Sequence, residues 1–202
     1  MEIAARFVSG LVRLLVGANV LRTDFTPDER QRIYIVNHVS HLDAVVVWSA
    51  LPPHVRRVTR PAAALDYWGK GLRHWLATRV FNAILIDRSG TGVREVNPVD
   101  VMLEGMGERY SLIIFPEGTR NSGEELGEFK SGIYHLAKRL PNAEVIPVFI
   151  ENLSRVLPKG EVVPIPLLCS ISFGAPLGLE ADEAKAAFLT RARDAVNSLR
   201  RA

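Results

Sequence analysis

From Gln31 onward the chain alternates short β-branched apolar runs with segments of helical pattern, and this rhythm constrains the fold more than any other feature of the sequence. Arg32 to Val36, Val55 to Thr59, Ala83 to Ile86, Ser111 to Phe115, Val145 to Ile150 and Leu167 to Phe173 read as strands. Leu42 to Leu51, Trp68 to Val80, Pro98 to Arg109, Gly132 to Leu140 and Ala181 to Arg201 read as helices. Such alternation predicts a single-domain α/β fold, with a central mixed, mostly parallel sheet covered by helices. Several of the strands are continuous apolar runs, as expected where both sheet faces are buried. With 202 residues, 48% hydrophobic and 23% charged, the chain fills one core and is neither disordered, collagen-like nor a coiled coil. Pro52 and Pro53 stop one helix and the prolines between Pro158 and Pro166 mark a loop, but no repeat or Gly/Ser linker divides the chain.

Ahead of the alternation lies an apolar stretch, Ile3 to Leu21, of about the length that spans a bilayer as a helix. It carries Arg6 and, near its centre, Arg13. A central arginine costs about 2.5–3.5 kcal/mol on insertion scales, which disfavours spanning. On a helical wheel Glu2, Arg6, Ser9 and Arg13 make a narrow polar stripe opposite Phe7, Leu11, Leu14, Leu15 and Val16. The expected arrangement is an amphipathic helix within residues 1–24 followed by an α/β domain over residues 25–202. Two roles stay open for the helix: lying in a membrane interface with its arginines toward anionic lipid, or packing on the domain's own core. Arg13 interrupts any signal-peptide apolar region and no small-x-small site follows, so a cleaved leader is not expected. A net charge of +3 is too small to point to nucleic acid, although a pI near 9.2 leaves room for local basic patches. The single cysteine, Cys169, forms no intrachain disulfide or thiolate cluster, so nothing requires an oxidising compartment and the cytosolic side is the simpler expectation.

Polar residues of chemical interest cluster just past the apolar strands. After the first comes Asn37-His38-Val39-Ser40-His41-Leu42-Asp43. Five residues advance about 140° beyond a full helical turn, so His38 and Asp43 cannot share a helix face. They meet if His38 sits on the turn and Asp43 in the first turn of the helix. Ser40 followed three residues later by Asp43 has the pattern of a capping box, with Ser40 at the N-cap. Two readings stand: His38 is a general base whose second nitrogen is held by Asp43, or Asp43 only caps the helix. His38 and His41 lack a third ligand at metal spacing, so no metal is expected. Past the third strand stand Asp87 and Arg88, and past the fourth Pro116-Glu117-Gly118-Thr119-Arg120, where Arg120 offers a guanidinium able to fork onto phosphate. Both lie at strand carboxyl ends, where α/β folds bind ligands. Lys130 stands just before the helix opening at Gly132, whose N-terminus suits an anion.

In order, NHVSHLD, ILIDR, FPEGTR and VIPV resemble the four motifs of the PlsC-like glycerolipid acyltransferase family, best known for 1-acylglycerol-3-phosphate acyltransferases. The matching span runs from Asn37 to Val148. The resemblance implies the glycerolipid acyltransferase type of α/β fold. It also implies transfer of a fatty acyl group from acyl-CoA or acyl carrier protein, as co-substrate and without a cofactor, to a lysophospholipid hydroxyl. Carried over by position, His38 and Asp43 are the catalytic pair, and Arg88 contacts the acceptor phosphate. Glu117, Gly118, Thr119 and Arg120 build the acceptor pocket, with Lys130 beside it, and Pro147 belongs to the fourth motif. The chain departs from the pattern at Ala83, where the second motif usually opens with Gly, and Arg60 to Trp68 lacks the Lys-x-Glu-Leu segment common in lysophosphatidate enzymes. The resemblance therefore speaks for the chemistry more than for the acceptor. Without the long transmembrane hairpins of some members, attachment to a membrane is expected to be peripheral, on the cytoplasmic face. Rival readings are a silent lipid-binding module and a hydrolase using the same pair. Cys169, in an apolar strand, reads as a core thiol; Trp48, Trp68 and Trp75 read as core or as the lining of an acyl tunnel; His54, His74 and His135 read as structural or surface residues.

Overall fold

Among the described residues seven strands form one sheet in the order β1-β7-β6-β2-β5-β3-β4. The computed structural model describes residues 7–12, 17–87, 97–121, 125–152 and 169–200. The strands are β1 (Asn19–Thr23), β2 (Arg32–Val36), β3 (Thr59–Ala64), β4 (Ile84–Ile86), β5 (Ser111–Ile114), β6 (Glu144–Glu151) and β7 (Ser170–Phe173). β6, β2, β5, β3 and β4 run parallel, β7 is antiparallel to β6, and β1 pairs in parallel with β7. The sheet is thus mixed and mostly parallel, in a single α/β unit.

Side-chain alternation along the strands builds two cores. Tyr34, Val36, Ile113, Ile146 and Val148 face one way, against α2 (Asp43–Ala50) and α3 (Pro53–Arg57). Ile33, Ile35, Leu112 and Val145 face the other, against α6 (Pro98–Met106), α7 (Gly132–Arg139) and α8 (Lys185–Asn197). The valines of α2 are poor helix formers, so burial of that helix and not propensity holds it. α6 has its own start signals: Asn97 accepts the Val99 N–H at 2.9 Å, and Pro98 follows. On the first face α4 (Leu65–Trp68) and α5 (Gly71–Trp75) follow β3, and a π-helical turn (Leu76–Val80) continues α5.

Several expectations need correction. Val55 to Thr59 is not a strand: Pro53 opens α3 through Arg57, and the strand is the next segment, Thr59–Ala64, whose three alanines hide it. The helix expected from Trp68 to Val80 is broken at Gly69 and Lys70, restarting at Gly71 with φ +59°. The last helix begins at Lys185, four residues later than expected, and the last strand begins at Ser170. The loop at Pro158 to Pro166 lies outside the described residues, as do Arg6 and Arg13.

The N-terminal segment differs most. Residues 7–12 (α1) are helical, but Asn19–Thr23, expected within the amphipathic helix, is a strand bonded to β7. Ser9, placed on the polar stripe, is buried, while Phe7 and Leu11 face outward at 71% and 42% exposure. Val8 and Val12 pack on the first core, so one side of this helical segment is held by the domain. Among the described residues, no helix is long and apolar enough to cross a membrane.

Candidate active site

Parallel pairing brings the carboxyl ends of β2, β5, β3 and β4 to one edge of the sheet, and the polar motifs emerge there. His38 Nδ1 lies 2.8 Å from Asp43 Oδ2. The same oxygen accepts main-chain N–H groups from Val39 at 2.7 Å and Ser40 at 2.9 Å, so it is an acceptor and His38 Nδ1 carries the hydrogen. Nε2 is thereby left as the basic nitrogen of a side chain that lines a cavity. Asp43 is fully buried, and its other oxygen, Oδ1, has no hydrogen-bond partner. Burial pushes the Asp43 carboxyl above its usual range, against the downward pull of its bonds to His38, Ser40 and Val39.

The capping box is only half made. Asp43 reaches back to the Ser40 N–H as such a motif requires, but Ser40 Oγ accepts the Leu42 N–H at 3.3 Å, and the regular helix starts at Asp43 itself. The Asp43 carboxylate is shared with His38 Nδ1 and Val39 N.

His38 is held from several sides. Its ring stacks on Phe115 at 4.2 Å between centroids. Its N–H donates to Glu117 Oε1 at 2.8 Å, and its carbonyl accepts the Asn121 N–H at 2.8 Å. Asn37 anchors the preceding residue through paired bonds with the main chain of Ile150, at 2.7 and 3.0 Å. Sequence reasoning passed over Asn37 and Asn121, although each sits in or beside a motif.

A cavity of about 940 Å³ opens beside His38. Ala62, Ala63, Ala64, Ala77, Phe81 and Met102 give it an apolar interior, while Gly118, Thr119, Arg120 and Lys130 stand in its polar part. Gly118 has φ +72°, and a Cβ there would stand 2.7 Å from Lys130 Nζ, so glycine lets the lysine cross the turn. Glu117 is turned away: its carboxylate is buried beneath the turn, with Oε2 accepting from Gly127 N at 2.9 Å and Asn121 Nδ2 at 3.2 Å. Arg88 lies outside the described residues. His41, considered above only as a metal ligand, lines the cavity and stacks on Tyr67 at 4.1 Å, with the Arg73 guanidinium 4.6 Å from the Tyr67 ring. Burial and the charges of Arg120, His38 and Arg73 lower its pKa.

Of the tryptophans, Trp68 lines the cavity, Trp48 is buried with its N–H on Thr59 O at 3.2 Å, and Trp75 is half exposed. Cys169 is buried in the first core and burial pushes its thiol up to about 12, which removes it as a nucleophile.

A model of the Acyltransferase family matches residues 17–151, more than half of the chain. The 1-acyl-sn-glycerol-3-phosphate acyltransferase of Salmonella typhimurium is 31% identical over 123 residues, which is 60% of this chain and 47% of that protein. The protein of the same name from Limnanthes alba is 29% identical over 162 residues, 79% of this chain and 56% of its own length. The chain thus spans about half the length of the curated relatives it matches. In fold it is similar to the crystal structure of the 1-acyl-sn-glycerophosphate (LPA) acyltransferase PlsC from Thermotoga maritima, with TM-score 0.74 and 18% identity, covering 98% of this chain and 78% of that one.

Proposed function

Since the chain belongs to the acyltransferase family, we propose that it moves a fatty acyl group from an acyl thioester, acyl-CoA or acyl carrier protein, to the hydroxyl of a lysophospholipid, with 1-acylglycerol-3-phosphate the preferred acceptor. The observation that carries this reading is the His38–Asp43 pair at a cavity whose interior is apolar and whose polar part holds Arg120 and Lys130. An acyl chain suits the first and a phosphate suits the second.

In the proposed reaction the acceptor oxygen attacks the thioester carbonyl while its proton passes to His38 Nε2. Asp43 stabilises the imidazolium across Nδ1. The tetrahedral intermediate then collapses, the carbon–sulfur bond breaks, and the leaving thiolate takes the proton back from Nε2. No covalent enzyme intermediate and no cofactor enter this sequence. Arg120, and Arg88 by the family resemblance, take the acceptor phosphate with Lys130 beside them; the guanidinium fork matches phosphate in a two-pronged fashion. Gly118 and Thr119 shape the turn that presents Arg120.

A peripheral site on the cytoplasmic face of a membrane belongs to the same proposal. Leu72 and Trp75, at 73% and 50% exposure, project from α5, between cavity-lining Trp68 and Ala77. Exposed Lys70, Arg73 and Arg79 flank them. Apolar anchors among cations suit an anionic lipid interface, and Phe7 and Leu11 add a second apolar contact.

Incubation with a panel of lysolipids and each donor, with products read by mass spectrometry, tests the reading. A new diacyl lipid is the expected product. Release of free fatty acid alone would mean that the same base activates water and the protein is a hydrolase.

A further inference from the structure

We infer that Glu117 is a positioning residue for His38, acting through the main chain of the catalytic turn and not by contact with the acceptor. The residue is only 6% exposed, and both carboxylate oxygens are occupied by N–H donors: His38 N on Oε1, Gly127 N and Asn121 Nδ2 on Oε2. A carboxylate used in this way has little left to offer a ligand hydroxyl. Gly127 is part of the arrangement, because a Cβ there would fall 2.9 Å from Oε2.

The His38 peptide is gripped at both ends by the same turn, its N–H by the Glu117 side chain and its carbonyl by the Asn121 N–H. With the main chain fixed, Nδ1 tied to Asp43 and the ring face against Phe115, the imidazole has one orientation left. Glu117 therefore fixes where the base points.

Glutamine cannot replace it. Its amide has one accepting oxygen, so whichever way it turns its NH₂ group meets a main-chain N–H, of His38 or of Gly127. An uncompensated buried donor is costly, and the turn must shift. Displacement of a catalytic group by about 1 Å costs on the order of 10² in rate.

This rests on the proposed acyl transfer for its kinetic arm and not for its second arm. In the full-length chain Glu117→Gln should lower kcat about 10²-fold, on the scale of a misplaced base, while KM for a lysophosphatidate acceptor stays within about twofold of wild type. Proton NMR of the protein labelled with ¹⁵N-histidine should show the His38 Nδ1 proton, hydrogen-bonded to Asp43, in wild type and its loss or shift in the variant. Asn121→Ala, which removes one donor to Oε2 and spares the bond to His38, should shift the same signal less and lower kcat less. It also serves where Glu117→Gln does not fold. A raised acceptor KM at unchanged kcat would make Glu117 an acceptor ligand and overturn the inference. So would a lowered Tm with normal kcat and an unmoved Nδ1 signal. If no acceptor is acylated by the wild-type protein, the NMR result alone decides.

Discussion

Replacing Asp43 by asparagine separates the charge of the pair from its shape. An asparagine oxygen in the place of Oδ2 would keep the bonds from His38 Nδ1, Val39 N and Ser40 N, now 2.8, 2.7 and 2.9 Å long. The turn then holds its form, and what disappears is the negative charge beside the developing imidazolium. Two unit charges about 4 Å apart interact by about 4 kcal/mol at an effective dielectric constant near 20. That energy is about a thousandfold in rate. The same substitution in the Ser-His-Asp triad of the chymotrypsin fold costs about 10⁴, because the amide favours the wrong imidazole tautomer, so kcat for Asp43→Asn should fall by at least about 10³. Oδ1 is buried without a partner, so the substitution exchanges the desolvation of a carboxylate for that of an amide NH₂, and Tm should fall far less than turnover. The assay is release of free thiol from acyl-CoA at saturating acceptor, with Tm by calorimetry. A folded variant within tenfold of wild-type kcat would refute the reasoning, and a large loss of Tm with normal turnover would reduce Asp43 to a helix cap.

Three further outcomes follow from the site. Arg120→Lys should raise the acceptor KM several-fold while leaving the donor KM unchanged, because an ammonium keeps the charge but not the fork; initial rates with each substrate varied in turn decide it. Trp75 should move to shorter emission wavelength on vesicles containing anionic lipid and be quenched by brominated acyl chains, less so at high salt; identical behaviour on neutral vesicles would remove the electrostatic part of the membrane proposal. His41 has a folded-state pKa below its ordinary 6.5, so the unfolded chain binds its proton more readily. The stability that neutral His41 contributes is therefore present above pH 6.5 and lost as pH falls below it, and His41→Phe should flatten that part of the Tm profile.

Much of this was legible in the sequence, and the gaps have physical reasons. The continuous apolar runs of β2, β5 and β6 announce strands buried on both faces, and the motifs that hold His38 and Arg120 stand just past β2 and β5. β3 was missed because alanine has no β preference, and Val55 to Thr59 looked like a strand because Val and Thr do. There the neighbouring elements decided: Pro53 could start a helix, and the sheet needed Thr59–Ala64 between β5 and β4. β1 was hidden in an apolar stretch whose composition suits helix or strand equally. At the site, residue type singled out Glu117 and Lys130 but not which way they face. The motif has the same letters whether its carboxylate looks into the cavity or back at the His38 peptide, and the direction is set by distant partners, His38 N and Gly127 N among them.

The His38–Asp43 pair and the contacts that orient its turn span different lengths of the chain. His38 and Asp43 are five residues apart, within reach of one turn. The contacts that orient them are distant: Glu117 stands 79 residues from His38, and Ile150 stands 113 residues from Asn37. Closing loops of that length costs more chain entropy than closing a five-residue turn, so these contacts depend on the long-range order of the sheet. In the proposed reaction, the orientation of the base is thus a property of the assembled sheet, and the five-residue turn alone supplies only the pair.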